Sequence, residues 1–502
     1  MLAQRFSFSV IVRIWIQALG FVSLFFVARF MGAKALGLVA FATSYIALFQ
    51  SFSDLGYGTA HIKRVSEGKD LGKCNGTYFT IKIALTIVMC AVVVLSIVLQ
   101  KYFLITSSLS YQKEIVIYIV LFAVFVSNMA MMLNITFSAR KEVAKQSTGE
   151  LFHKAGTVIF KVTVALTGLG VFWLAGATVF GAVIWLMVLI FYFRNLPIKK
   201  PDKEYFLSYT KFAIPVIFIG FLTKYAQNLD KVMIGYFSTA AEVGKYAAGQ
   251  RIAMMLLIFI TSAATLIFPT ISQLHARGEI DKIRKLASKV ERFFSMFLFP
   301  IAVLMTIYAK DICNILLGIE FTTVTPHILS ILIWFLLVSA LMHPYSLQLA
   351  STNHVTLAAK ISFLYLGLNI LLNFVFIPDS LFHIRMLGMG ARGAALATFV
   401  SVVIGSVIYR FCAFKITGSK PNPVVFKHAV AALIMGLFLL GINSFSSNRS
   451  VFILSLFVIP GVAIYFVILM ILKELRSNDV SYLLSFVNLK SIHKYAKEEI
   501  KS

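Results

Sequence analysis

Acidic residues are scarce in this chain: Asp and Glu total 20 of 502 residues, against 46 Lys and Arg. Charged residues of both signs make up only 13%, while 59% are hydrophobic. That balance excludes a water-soluble globule, whose surface grows too quickly relative to its core to hide so much apolar area. Cysteine is nearly missing as well. Cys74, Cys90, Cys313 and Cys412 are scattered without CxxC or metal-ligand spacing, which excludes a disulfide framework and a zinc site. No G-x-x-x-x-G-K-[ST] motif is present, so the sequence shows no ATPase motor, and the nine histidines never form H-E-x-x-H. Gly388, Gly390 and Gly393 do spell G-x-G-x-x-G. They lack a surrounding βαβ unit, and about 20 residues on stands Arg410 rather than a ribose-binding acid, so close helix packing is the better reading.

What the chain has in abundance is long apolar runs. A hydrocarbon core of about 30 Å needs helices of roughly 20 apolar residues. Such runs fall at 8–30, 35–57, 77–99, 115–137, 155–174, 176–193, 212–230, 246–268, 293–309, 327–350, 355–377, 392–414, 425–443 and 451–472. The spacing predicts an all-α integral membrane protein of about 14 transmembrane helices. The opening stretch mimics a signal peptide, but Arg13 and Gln17 interrupt it, no A-x-A site follows and a second apolar run begins at once; it reads as the first membrane helix.

The bases set the orientation. Lys63, Arg64, Lys69 and Lys73 lie between the second and third runs, and Arg140, Lys141, Lys145 and Lys154 between the fourth and fifth. Arg194, Lys199, Lys200, Lys203 and Lys211 follow the sixth; Arg277, Lys282, Arg284, Lys285, Lys289 and Arg292 follow the eighth. About 29 bases fall on this side and about 10 on the other, which by the positive-inside rule places both termini in the cytoplasm. The rule accounts for most of the +26 formal charge, and nucleic-acid binding is set aside because no folded domain presents a basic face. Outward connections are short, leaving no room for a sizeable extracytoplasmic domain. The stretches 201–211 and 279–292 are charged and amphipathic and read as interfacial, as does the tail from Ser477.

An internal repeat is visible. Residues 28–41 align without gaps to 235–248, pairing Phe30 with Phe237, Ala33 with Ala240, Gly37 with Gly244 and Ala40 with Ala247. The offset of six helices predicts two lobes of the same topology related by a pseudo-two-fold axis along the membrane normal, facing each other across a cleft. The expected organisation is an N-terminal lobe over 1–200, a C-terminal lobe over 201–415, two further spans over 416–476 and a cytoplasmic tail over 477–502.

Ionisable groups at membrane depth are costly and face a cavity or a partner, or else snorkel. The deep or semi-deep set is mostly positive: Arg13, Lys161, Lys224, Arg251 and Lys360, with Arg29, Asp54, Asp230 and Arg410 near span ends. Helical spacing puts Arg13, Gln17 and Gly20 on one face, Thr43, Ala47, Gln50 and Asp54 on another, and Lys224, Asn228 and Lys231 on a third. A shared cationic interior suits an anionic ligand such as a pyrophosphate. Arg13, Gln17, Lys224, Asn228, Arg251 and Lys360 are therefore the candidate substrate contacts, and Asp54, Asp230 and Arg29 the candidates for coupling or gating. Lys161, Lys360 and Arg13 equally fit snorkelling, and the two aspartates equally fit local pairing or capping.

These residues resemble a known family. Arg29-Phe30-Met31-Gly32 with Leu36-Gly37, Phe52-Ser53-Asp54-Leu55-Gly56, Tyr209-Thr210-Lys211-Phe212-Ala213-Ile214-Pro215, Asp230 with Gly235, Val243-Gly244-Lys245-Tyr246, Phe268-Pro269 and Gly390-Ala391-Arg392-Gly393-Ala394-Ala395 occur in the order seen in polysaccharide transporters. The chain thus resembles the Wzx-type O-antigen flippase family of the multidrug/oligosaccharidyl-lipid/polysaccharide superfamily up to about residue 415. The resemblance implies a bacterial inner-membrane flippase, not an enzyme. Its cargo would be undecaprenyl-diphosphate-linked oligosaccharide, moved to the periplasmic leaflet by alternating access on a proton or sodium gradient. It implies no organic cofactor, membrane lipid as surroundings, and a polysaccharide polymerase and chain-length regulator as partners. Alternatives are a flippase for a lipid-linked peptidoglycan precursor, a cation-extruding multidrug antiporter, which would want deep acidic groups, and an O-antigen polymerase or ligase, which would want a large outer loop.

Overall fold

The computed structural model describes residues 2–103, 110–443 and 451–475; for 2–10, 103, 214–224, 226–227, 258–259, 262–266 and 451–456 it describes the backbone alone. The elements in chain order are α1 (Leu2–Phe49), α2 (Tyr57–Ser66), α3 (Leu71–Phe103), α4 (Tyr111–Ala139), α5 (Val143–Thr167), α6 (Val171–Phe193) and α7 (Lys203–Phe237). Then come α8 (Ala240–Ala253), α9 (Leu257–Ala276), α10 (Ile280–Ile307), α11 (Ala309–Leu317), α12 (Thr325–Ser351) and α13 (Val355–Phe376). A hairpin of β1 (Ser380–Leu381) and β2 (Ile384–Arg385) precedes α14 (Gly390–Thr417), α15 (Val424–Asn443) and α16 (Val451–Ile471). The protein is an all-α integral membrane protein, the architecture in which every backbone polar group in lipid is satisfied within its own segment.

The apolar runs fall largely on helix. Among the described residues nine helices are long and apolar enough to cross a membrane, and the first of these holds two runs. Gly32 (φ 76°, ψ −179°) breaks α1 between them, a conformation that a side chain would resist. The other runs sit on α5, α7, α8 with α9, and α16. Lys161 lies on α5 and Lys224 on α7, and a 3-10 turn at Met254–Leu256 separates α8 from α9.

One boundary differs from the sequence reading. Helix α5 starts at Val143 and stops at Gly168 (φ 71°), so the fifth span lies earlier than 155–174. The amphipathic stretches run into their spans without a break: 203–211 opens α7 and 280–292 opens α10. Nothing in either stretch stops helix propagation, so the turns simply continue. The tail beyond Leu475 lies outside the described residues.

The chain packs as two compact units that part within α8, one running to Gly244 and the other from Lys245. In the first, α4, α5 and α6 pack together, α1 lies on α5, and α7 lies against α1, α2 and α3. Its core includes Tyr78, Phe79, Phe137, Trp185, Phe193 and Tyr209. In the second, α10, α12, α14 and α15 carry the core, with Leu298, Ile333 and Leu336 in one cluster and Met296, Met435 and Tyr465 in another.

The two repeat segments touch within the first unit. A Cβ on Gly37 would fall 1.7 Å from the Ala240 carbonyl oxygen, and one on Gly244 would fall 1.9 Å from that of Ala33. Ala33 aligns with Ala240 and Gly37 with Gly244, so each residue meets its partner's counterpart. That reciprocity is the signature of a local two-fold contact. Only glycine permits the backbones to come so close.

Candidate functional site

Helix α1 ends at Phe49 and is followed by a 3-10 turn over Gln50–Ser53, then Asp54, Leu55 (φ 44°) and Gly56 (φ 83°) before α2 begins. The Phe52–Gly56 motif is therefore a helix break. Its polar side chains converge: Ser53 Oγ donates to the Gln50 carbonyl at 2.8 Å, and Gln50 Nε2 donates to Asn128 Oδ1 at 3.1 Å. Asn128, on α4, is buried. Asp54 lies over Gly58, where a Cβ would stand 3.0 Å from its Oδ1.

Lys82 of α3 reaches this break, its Nζ 3.5 Å from Asp54 Oδ1. The pair is lopsided, with the lysine side chain 3% exposed and the aspartate 31%. A buried ammonium costs several kcal/mol unless paired, so the contact with Asp54 helps make Lys82 tolerable there. Sequence reasoning passed over Lys82. The signal was present: Tyr78, Lys82, Thr86, Met89, Val93 and Ile97 repeat at helical spacing and are all buried, so a base in that stripe points inward.

At its N-terminal end α7 is tied to α2 and α3. Asp202 caps α7, accepting from the amides of Glu204 and Tyr205, and pairs with Lys73 at 2.8 Å. The Lys73 hydrogen bond holds the Asp202 carboxyl below the usual carboxylate range, as the Lys199 hydrogen bond does for Asp70. His61 of α2 bonds Tyr209 Oη at 2.9 Å and Thr136 Oγ1 at 3.0 Å and stacks on Tyr78. Burial pushes His61 down to about 3, so it is a neutral bridge. At the other end Tyr236 donates to Gln100 at 2.7 Å, Gln100 donates to Tyr45 at 2.9 Å, and Lys113 Nζ donates to the Gly235 carbonyl at 2.5 Å. A cation there also suits the negative end of the helix dipole.

The second unit buries an acid instead. Glu291 of α10 is fully buried; it pairs with Arg410 of α14 and accepts from Tyr345 Oη of α12 at 2.5 Å. The Asn422 amide adds a third partner at 3.4 Å. Next door Arg292 pairs with Glu474 and donates to its backbone carbonyl at 2.8 Å. Elsewhere in this unit, Asn369 donates to Thr398 at 3.2 Å and Asn373 to Asn369 at 3.2 Å.

The remaining sequence candidates lie on four helices, α1, α7, α8 and α13. Arg13 and Gln17 are exposed on α1, Arg251 on α8 and Lys360 on α13. Arg29 is exposed, its guanidinium 4.7 Å from the Phe25 ring centre. Asn228 is half-buried and Asp230 buried on α7, while the Lys224 side chain lies outside the described residues.

Residues 26–326, more than half of the chain, match the family described as "Polysaccharide biosynthesis protein". The chain is 23% identical to the "Probable low-salt glycan biosynthesis flippase Agl15" of Haloferax volcanii, over 95% of this chain and 97% of that protein. It is 24% identical to the "Probable flippase AglR" of the same organism, over 92% and 94%. Its fold is similar to that of the lipid II flippase MurJ in an inward closed conformation (TM-score 0.75, 14% identity, 93% of this chain and 98% of that one). It is also similar to an inward-facing multidrug resistance MATE transporter of the MOP superfamily (TM-score 0.62, 12% identity, 82% and 99%). The family match covers more than half of the chain, and the likeness to the curated relatives runs along nearly all of it: this protein belongs to the family described as polysaccharide biosynthesis protein.

Proposed function

We propose that this chain is a flippase for a lipid-linked oligosaccharide, moving undecaprenyl-diphosphate-linked repeat units of a surface polysaccharide from the cytoplasmic to the periplasmic leaflet. The observation that carries the reading is the full-length similarity to two proteins named as flippases, one of them for glycan biosynthesis. The helix break at Asp54 supports it, because a buried lysine beside an accessible carboxylate is a costly arrangement in an apolar bundle and is kept where it has work to do. In this reading the protein transports and does no covalent chemistry on its cargo. It sits in the bacterial inner membrane with both termini cytoplasmic, and a proton or sodium gradient drives alternating access.

Arg13, Gln17, Lys224, Asn228, Arg251 and Lys360 then serve as diphosphate and sugar contacts, while Asp54, Asp230 and Arg29 serve coupling or gating. A phosphate group offers each base several charge-assisted hydrogen bonds. A polymerase and a chain-length regulator receive the exported units. The deciding experiment deletes the gene and analyses lipid-linked repeat units by leaflet. Complete units held at the cytoplasmic leaflet support flipping; complete, unpolymerised units in the periplasmic leaflet would instead mark a polymerase.

A further inference from the structure

The thirteen residues between α13 and α14 form a rigid projection rather than a slack loop. Their backbone folds back onto the end of α13: Leu387 N donates to the Val375 carbonyl at 3.1 Å, Met389 N to Phe376 at 2.8 Å and Gly390 N to Ile377 at 3.2 Å. Gly388 N to Pro378 (2.8 Å) and Met386 N to Asp379 (2.9 Å) complete the lacing. Carbonyls that a helix end would leave to water are thus held by the loop itself.

Beyond this base the β1–β2 hairpin pairs Leu381 with Ile384 across a two-residue turn, Phe382 (φ 48°) and His383 (φ 66°). Two successive positive φ values define a type I′ turn, a position that favours Asn-Gly. A Phe-His pair there is strained, and the strain brings no compensating burial: Phe382 is 86% exposed. Ile384 and Leu387 are exposed too, with the exposed Arg385 between them.

The exposed apolar side chains continue a surface that lipid already covers. On α13, Leu364, Leu371 and Val375 recur at helical spacing and are exposed, and Leu387 is hydrogen-bonded beside Val375. Helix α13 is a candidate span with little of its surface buried in the protein, so this stripe faces acyl chains. The stripe runs from α13 into Leu387, Ile384 and Phe382. An apolar and aromatic edge carrying an arginine is the composition of a headgroup–acyl boundary.

We infer that the Phe382–Ile384 hairpin is a membrane-interface anchor of the second unit, its partner being the lipid surface at that end of α13, with Phe382 and Ile384 at the acyl boundary and Arg385 at the phosphates. By the charge asymmetry of the loops that leaflet is the outer one. The inference does not depend on the cargo.

The test places a nitroxide on Phe382→Cys and on Ile384→Cys in the full chain, with the four native cysteines replaced, in vesicles of phosphatidylcholine and phosphatidylglycerol. Leu371→Cys provides the lipid reference and Lys69→Cys the aqueous one. The expected result is collision with dissolved oxygen favoured over a water-soluble nickel chelate, shifted toward the Leu371 reference. A nickel-dominated value matching Lys69 overturns the inference. Should the cysteine-free chain fail to fold, benzoyl-phenylalanine at position 382 of the otherwise native chain gives the same decision. Crosslinks to lipid support the anchor, and crosslinks to protein or none at all refute it.

Discussion

The two units bury charge in opposite ways. The first hides a base, Lys82, against an aspartate that stays one-third accessible; the second hides an acid, Glu291, against an arginine whose side chain is one-quarter accessible. Glu291 is saturated, with Arg410, Tyr345 and the Asn422 amide all directed at it. The Asp54–Lys82 contact is longer, at 3.5 Å, and sits at a helix break instead of between unbroken helices. A saturated pair holds α10, α12 and α14 together and has nothing left to give a ligand. A longer contact beside a helix break has more room to rearrange. Burial alone therefore does not mark a functional charge; the geometry of the pair and the regularity of the backbone do.

That contrast can be broken experimentally. The largest effect is expected from Glu291→Ala, which strands Arg410 and Tyr345: about 3–5 kcal/mol of stability, in the range for halving a buried pair. It should be read as loss of monodisperse protein in detergent and a lower Tm. If Glu291→Ala keeps its stability yet loses export, the second pair is the functional one and the comparison inverts.

Next comes Lys82→Met. It should leave Tm and membrane insertion largely intact while cutting export about tenfold or more, the equivalent of about 1.5–3 kcal/mol for a charged hydrogen bond. Lys82→Arg should recover part of the rate. A Lys82→Met protein that unfolds as badly as Glu291→Ala would reduce Lys82 to a structural role.

Gly37→Ala and Gly244→Ala probe the reciprocal crossing. Each forces a methyl against backbone that cannot retreat, at about 1–3 kcal/mol. Because both act on one contact, the double variant should cost less than the two single ones together; strict additivity in Tm would deny the shared crossing.

The smallest effect concerns pH. Asp70 and Asp202 have folded-state values below their unfolded ones, so their contribution is fully present above the unfolded carboxylate range. It is lost as pH falls through the depressed values. Proteolysis of the 195–202 connection should rise on acidification and should rise earlier in Asp202→Asn. A connection equally protected at every pH would show that Lys73 and Lys199 do not hold it.

Much of the fold was legible beforehand. Apolar runs of bilayer length, a glycine between two of them, and the placing of bases in connections follow from solvation and backbone conformation, and these act locally. The helix break at Phe52–Gly56 was recognised as a motif, but its neighbours were not, because Lys82 and Asn128 lie on other helices. Glu291 and Arg292 were read as part of a charged interfacial stretch. In sequence they are indistinguishable from solvated charges, and only the approach of α12 and α14 turns Glu291 into a buried hub.

Hydropathy and charge placement, written residue by residue, determined that this chain lives in a membrane as an all-α bundle. Which charges are buried, and which partners they meet, was decided only by tertiary packing. Desolvation and pairing depend on distances between helices that are far apart in the chain, and no local pattern encodes them.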